Sequence, residues 1–183
     1  MIDRERTKRD RSRRNMKIIS LDPGGTTGWA MLDIDMSSTI SKAKAFLRDH
    51  VKQGQLGDST EHHMLLWNFL ISQAPDVIIC ERFKAYGNEF AKLMSIEYIG
   101  LVKLYRSLYN CKVVWHGSDK KEWANDRKLS ILLLLCTPLV KWRHANDALR
   151  HLVYFLVFET PRELEPLHVF IMLKLRALQL AET

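Results

Sequence analysis

Cysteine is scarce in this 183-residue sequence, and what there is does not pair: Cys80, Cys111 and Cys136 stand far apart, form no CxxC and lie in apolar stretches. That spacing argues against a zinc site and reads as three reduced core thiols of an intracellular protein. Long apolar runs are also missing. The longest, Ile131–Cys136 and Leu152–Phe158, fall far short of the roughly 20 residues that cross a bilayer. No apolar segment follows the N-terminal charges before Met16, so no signal peptide is expected and a cytoplasmic location is. Internal repeats and low-complexity tracts are absent outside the first fifteen residues.

Acidic residues are in the minority, 21 against 28 Lys and Arg, for a formal charge of +7. The excess is uneven. Residues 1–15 hold seven basic side chains (Arg4, Arg6, Lys8, Arg9, Arg11, Arg13, Arg14) against Asp3, Glu5 and Asp10. Such an arm cannot bury apolar area and is expected to be disordered by itself. It reads equally as a phosphate-gripping tether and as a solvated tail preceding a true start at Met16. The whole sequence is 46% apolar, enough for one domain with a full core over 16–160.

Strand and helix signals alternate along that domain. Lys17–Leu21 is a buried strand ending in Asp22; Pro23-Gly24-Gly25 is a turn, and Gly28–Leu32 returns as a second strand, giving an antiparallel hairpin. Val51–Leu56 is a third strand, closed by Gly57. Asp58-Ser-Thr-Glu61 is a capping box for a helix reaching Ala74. Asp76–Cys80 is apolar throughout and so central, with Glu81 at its end. Glu89–Tyr109 is a long helix, its core stripe read as Phe90, Leu93, Met94, Leu101, Leu104 and Leu108, with Gly100 packed close to a sheet. Lys112–Trp115 is the fifth strand. Asp119-x-x-Glu122 caps a helix reaching Leu135, Arg143–Phe158 is another, and Thr160–Glu163 caps a last helix that packs on the domain or on a dimer partner. The pattern predicts an α/β fold with a mixed five-stranded sheet: an antiparallel β1-β2-β3 front, then parallel β4 and β5. The leading hairpin excludes a pure Rossmann arrangement, which needs a crossover helix there.

Four polar residues stand out on these elements. An ionised Asp22 at the end of a buried strand needs a cation, a hydrogen-bonding partner or exposure, although Asp-Pro-Gly is also ordinary turn chemistry. Glu81 repeats the situation on the most apolar strand, or simply points to water. His144 and Asp147 share a helical face at i and i+3, where an aspartate also suits the helix dipole. His151, at i+4 from Asp147, is a weaker ligand candidate that packing or solvent explains well enough.

Taken together, Asp22-Pro23-Gly24 with Thr27-Gly28, then Glu81, then His144-Ala-Asn-Asp147-Ala148 resembles the RuvC-type Holliday junction resolvases of the RNase H-like nuclease superfamily. In that family a DPG turn and TG lie on the first hairpin, a glutamate ends the fourth strand and a late helix carries D/H-x-x-D-A; Gly100 matches a family glycine. The resemblance spans about residues 17–158. It implies an RNase H-like sheet and two Mg²⁺ ions, bridged by Asp22 and completed by Glu81, Asp147 and His144, with Mn²⁺ able to substitute. It further implies in-line hydrolysis leaving 5′-phosphate and 3′-hydroxyl ends, branched DNA as partner and a homodimer matched to a two-fold junction. A phage-encoded protein acting in the host cytoplasm is the corresponding expectation.

Substrate grip falls to Phe83, Lys84 and Tyr86 after Glu81, with Phe83 stacking on an unpaired base. Lys120 and Lys121 resemble the family's basic positions, or form a plain solvated helix start. Three rivals remain. A RuvC-like nuclease could act on flaps or forks, and a catalytically silent DNA-binding protein could use the same scaffold. DPGGTTG also occurs in actin-like kinases, but those need a second phosphate motif that this chain lacks.

Overall fold

The computed structural model describes residues 15–35, 50–57, 61–82, 89–132 and 143–180. The five expected strands are present: β1 (Asn15–Asp22), β2 (Thr27–Asp35), β3 (Val51–Leu56), β4 (Val77–Glu81) and β5 (Lys112–His116). Their order is β3-β2-β1-β4-β5, antiparallel across β1–β2–β3 and parallel across β1–β4–β5. β1 starts at Asn15, one residue inside the stretch assigned to the basic arm, whose other residues lie outside the described ones, as do the capping-box positions 58–60.

Side-chain alternation splits the strands between two cores. Ile19, Leu21, Ile78 and Cys80 face helices α1 (His62–Gln73) and α2 (Glu89–Tyr109), where they meet Leu66, Leu70, Tyr98, Val102 and Tyr105. Ile18, Leu32, Val77 and Ile79 face α5 (Arg143–Phe158), meeting Leu149, Leu152, Phe155 and Leu156. That second core extends to α6 (Glu165–Leu180) through Leu167 and Ile171, so the last helix packs on its own domain.

Three local expectations are corrected. The fully buried stripe of α2 is Ser95, Tyr98, Val102 and Tyr105; of the expected residues Met94 and Leu101 are half-buried against the same core, the Phe90 side chain lies outside the described ones, and Leu93, Leu104 and Leu108 are about half exposed, as is Ile96. The two buried tyrosines find aromatic partners on that side, Tyr98 beside His62 and His63, and Tyr105 against Trp67 and stacked on Tyr109 at 4.6 Å. Gly100 therefore does not pack on the sheet, and an added Cβ there would meet open space.

The helix expected from Asp119 to Leu135 is two: α3 (Ser118–Trp123) and α4 (Asp126–Leu132). Buried Ala124 and exposed Asn125 divide them. Asn125 Oδ1 accepts the Lys128 backbone N–H at 3.0 Å, an N-cap that restarts the chain as a helix. Thr160, finally, does not cap the last helix. Its hydroxyl donates back to the Leu156 carbonyl at the end of α5, and a short 3₁₀ turn (Arg162–Leu164) precedes α6.

Candidate active site

β1 and β4 are parallel neighbours with Leu21 opposite Cys80. One residue further on, Asp22 and Glu81 stand side by side at the carboxyl ends of adjacent strands. Period-two alternation turns both toward the face that α5 covers, and the first turns of α5 bring His144 and Asp147 over them. Gly28 makes this approach possible. A Cβ at Gly28 would overlap the backbone of His144 and Ala145, so the helix start rests directly on β2.

The resulting cleft, about 300 Å³, is lined by Asp22, Pro23, Glu81, Lys121, Arg143, His144 and Asp147. All four candidate ligands meet there. Lys121 reaches in from α3, its Nζ 2.9 Å from Glu81 Oε2, 3.4 Å from Asp147 Oδ2 and 3.6 Å from Asp22 Oδ1. Lys120 does not share the cleft: it pairs with Asp119 at 3.2 Å and lies over the Tyr154 ring. Phe83, Lys84 and Tyr86 fall outside the described residues.

Several groups that the sequence does not place by itself complete the setting. Arg150 bridges Asp147 to Asp126 at the start of α4. His151, for which packing or solvent is a sufficient explanation from sequence, is wholly buried and bonds Glu81 Oε2 at 3.1 Å. Its spacing of i+4 from Asp147 is the available signal. His116 and Glu159 behind it give none, because only the β4–β5 register aligns His116 with Glu81.

The electrostatics follow from carboxylates crowded in partial burial. Burial pushes the Asp22 carboxyl up, and neighbouring Glu81 adds to that, against a lowering by His144 and Lys121. Burial opposes ionisation of Glu81 too, but hydrogen bonds from His151 and with Asp22 and Lys121 outweigh it and bring it down to about 2. The pair titrates as a unit, with Glu81 the more readily ionised member. Lys121 is penalised by burial, yet the three carboxylates raise its pKa further still.

His144 Nδ1 lies 2.6 Å from Asp22 Oδ2, and this hydrogen bond lifts the imidazole above its ordinary 6.5. A pKa raised on folding contributes stability that is complete below the unfolded value and lost as pH climbs through the folded one. In chelator-treated protein, the Tm deficit of His144→Gln is therefore expected to be largest below the ordinary 6.5 and to shrink as pH rises above it. A deficit constant or growing with pH contradicts this pairing.

Among the described residues no three His, Cys, Asp or Glu side chains are gathered in the geometry of a formed metal site. The carboxylates are spread around an ammonium group instead of drawn in on an ion. Their chemistry still fits a hard divalent cation: three carboxylates from separate segments converge on one point that already holds positive charge, with an imidazole at the rim.

No protein-family model and no curated protein matches the sequence. Solved structures do. RuvC of T. thermophilus in complex with a Holliday junction substrate matches at TM-score 0.55 and 15% identity, over 76% of this chain and 94% of that one. Thermus thermophilus RuvC alone gives 0.53 and 16%, over 76% and 95%. The Fowlpox virus resolvase, in complex with substrate Holliday junction DNA, gives 0.51 and 16%, over 76% and 96%. The likeness is one of fold: these RuvC and resolvase structures share the mixed five-stranded sheet flanked by helices.

Proposed function

We propose that this chain is a metal-dependent endodeoxyribonuclease that resolves four-way DNA junctions by paired, symmetric nicks. The observation that carries the reading is the convergence of Asp22, Glu81 and Asp147, from distant segments, on one cationic point in a cleft, with His144 at its rim. The fold neighbours solved with Holliday junction DNA support the substrate class.

Asp22, Glu81 and Asp147 would hold Mg²⁺ or Mn²⁺, with His144 alongside. When bound, such ions supply an activated water and charge stabilisation on the leaving 3′ oxygen, giving 5′-phosphate products. The chain's own contributions are distinct. Asp22 and Glu81 are fixed on rigid strand ends, Asp147 is held by Arg150, and Arg143 at the cleft wall meets phosphate. Lys121 would be the counter-ion of the three carboxylates in metal-free protein and would yield that place to a bound divalent cation.

That last role has a measurable consequence. Lys121→Met leaves three carboxylates without their cation, so the metal-free protein is expected to lose about 1–3 kcal/mol, discounted for an ammonium that water partly reaches. The Tm rise on adding Mn²⁺ is expected to be larger than in wild type. An equal or smaller rise counts against counter-ion exchange.

Two opposed nicks call for two active sites. The exposed side of α2 supplies a pairing surface, with Ile96, Leu104 and Leu108 on one stripe and Gly100 between them as a flat spot for close helix approach. A nicking panel of junction, flap, fork and linear duplex, with Mg²⁺ or Mn²⁺, tests the function. Paired nicks on the junction are the expected outcome. Preference for flaps or forks would replace the substrate, and binding without any cleavage would favour a silent DNA-binding protein.

A further inference from the structure

Behind Glu81 runs a line of side chains that the proposed chemistry does not use. The β4–β5 register sets His116 beside Glu81, and one turn beyond Asp147 the α5 helix sets His151 over both. His151 Nε2 lies 3.1 Å from Glu81 Oε2, the two Nδ1 atoms are 3.2 Å apart, and His116 Nε2 lies 3.3 Å from Glu159 Oε2. Both imidazoles are buried, at 0% and 1% exposure, while the Glu159 side chain is 35% exposed. The line thus starts at a cleft carboxylate and ends at a partly solvated one.

Satisfied core histidines are the simpler explanation, but three features weigh against it. A buried imidazole costs desolvation that an apolar residue would avoid, and here burial pushes the His116 pKa down. The two rings also place both nitrogens within hydrogen-bond distance of partners along one continuous route. And the route ends on the cleft oxygen nearest to the Lys121 ammonium. His151 and Lys121 thus share Glu81 Oε2.

We propose that His151 and His116, anchored by Glu159, are positioning residues that fix the Glu81 carboxylate for divalent-cation binding. The proposal rests on the nuclease reading. Orienting partners of this kind typically set about 10- to 100-fold in metal affinity, and the effect should fade along the line. His151 contacts Glu81 directly, His116 holds the His151 ring, and Glu159 holds His116. Tyr154, edge-on to His116 at 5.5 Å, walls the line and carries no part of it.

The test is Mn²⁺ titration of the full chain without DNA, read from the electron paramagnetic resonance signal of free Mn²⁺, alongside metal-free thermal melts. Variants are His151→Phe, His151→Gln, His116→Phe and Glu159→Gln. Expected is a loss of about 10- to 100-fold in Mn²⁺ affinity for His151→Phe, a smaller loss for His116→Phe and the smallest for Glu159→Gln. His151→Gln, which keeps a donor toward Glu81, should recover part of the loss whatever its Tm. Affinities that track Tm, not position along the line, mark a structural role and overturn the proposal. So does wild-type affinity in cooperatively melting His151→Gln and Glu159→Gln, even if the phenylalanine variants do not fold. A wild-type chain that binds no Mn²⁺ fails one step earlier: it overturns the nuclease reading, and the positioning role falls with it.

Discussion

Asp22→Asn is expected to lower junction cleavage by roughly a thousand-fold or more while leaving junction binding measurable. Asp22 contacts both His144 and Lys121, and an amide of the same shape cannot supply its charge to a divalent cation. The fold should not suffer. Burial already makes the ionised form of Asp22 unfavourable: a carboxyl whose pKa rises on folding weakens the folded state wherever pH keeps it charged. The asparagine removes that penalty, and its oxygen can still accept from His144. Unchanged or higher metal-free Tm together with lost cleavage is the signature of a residue kept for chemistry at the expense of stability. Undiminished cleavage discards the mechanism.

Gly28→Ala carries the largest expected effect on stability. The added Cβ would overlap main-chain atoms at the start of α5, and backbone cannot rotate out of the way as a side chain can. About 3 kcal/mol is the scale for such overpacking, or roughly 6–12 °C in Tm for a chain of this size. The same displacement carries His144 and Asp147 away from Asp22, so metal affinity and cleavage should fall with it. Gly25→Ala is the control, because a Cβ there meets nothing nearby. A Gly28→Ala melt within about 1 °C of wild type contradicts the close approach of α5 to β2.

What the sequence makes legible and what it hides divide along a physical line. The five strands with their directions and the meeting of Asp22, Glu81, His144 and Asp147 are readable because each sits at a chemically marked place: a strand end before DPG, the end of an apolar run, a helix opening. Local contests are less readable. The leucines of α2 outnumber its tyrosines, yet Tyr98 and Tyr105 take the sheet, since aromatic packing depends on Trp67 from another helix. Asn125 ends one helix and begins the next through a single hydrogen bond to Lys128, while apolar periodicity runs straight through. The role of charge is hidden most deeply. Lys121, a DNA contact by its place in the sequence, stands among the acids; His116 becomes part of the site only once two parallel strands are in register.

The most direct test of the account is where a divalent cation sits. Crystals soaked in Mn²⁺, examined by anomalous scattering, are predicted to show density among Asp22, Glu81 and Asp147, with the Lys121 ammonium moved out of their midst. Manganese bound elsewhere on the surface, with Lys121 still bridging the three carboxylates, would contradict it.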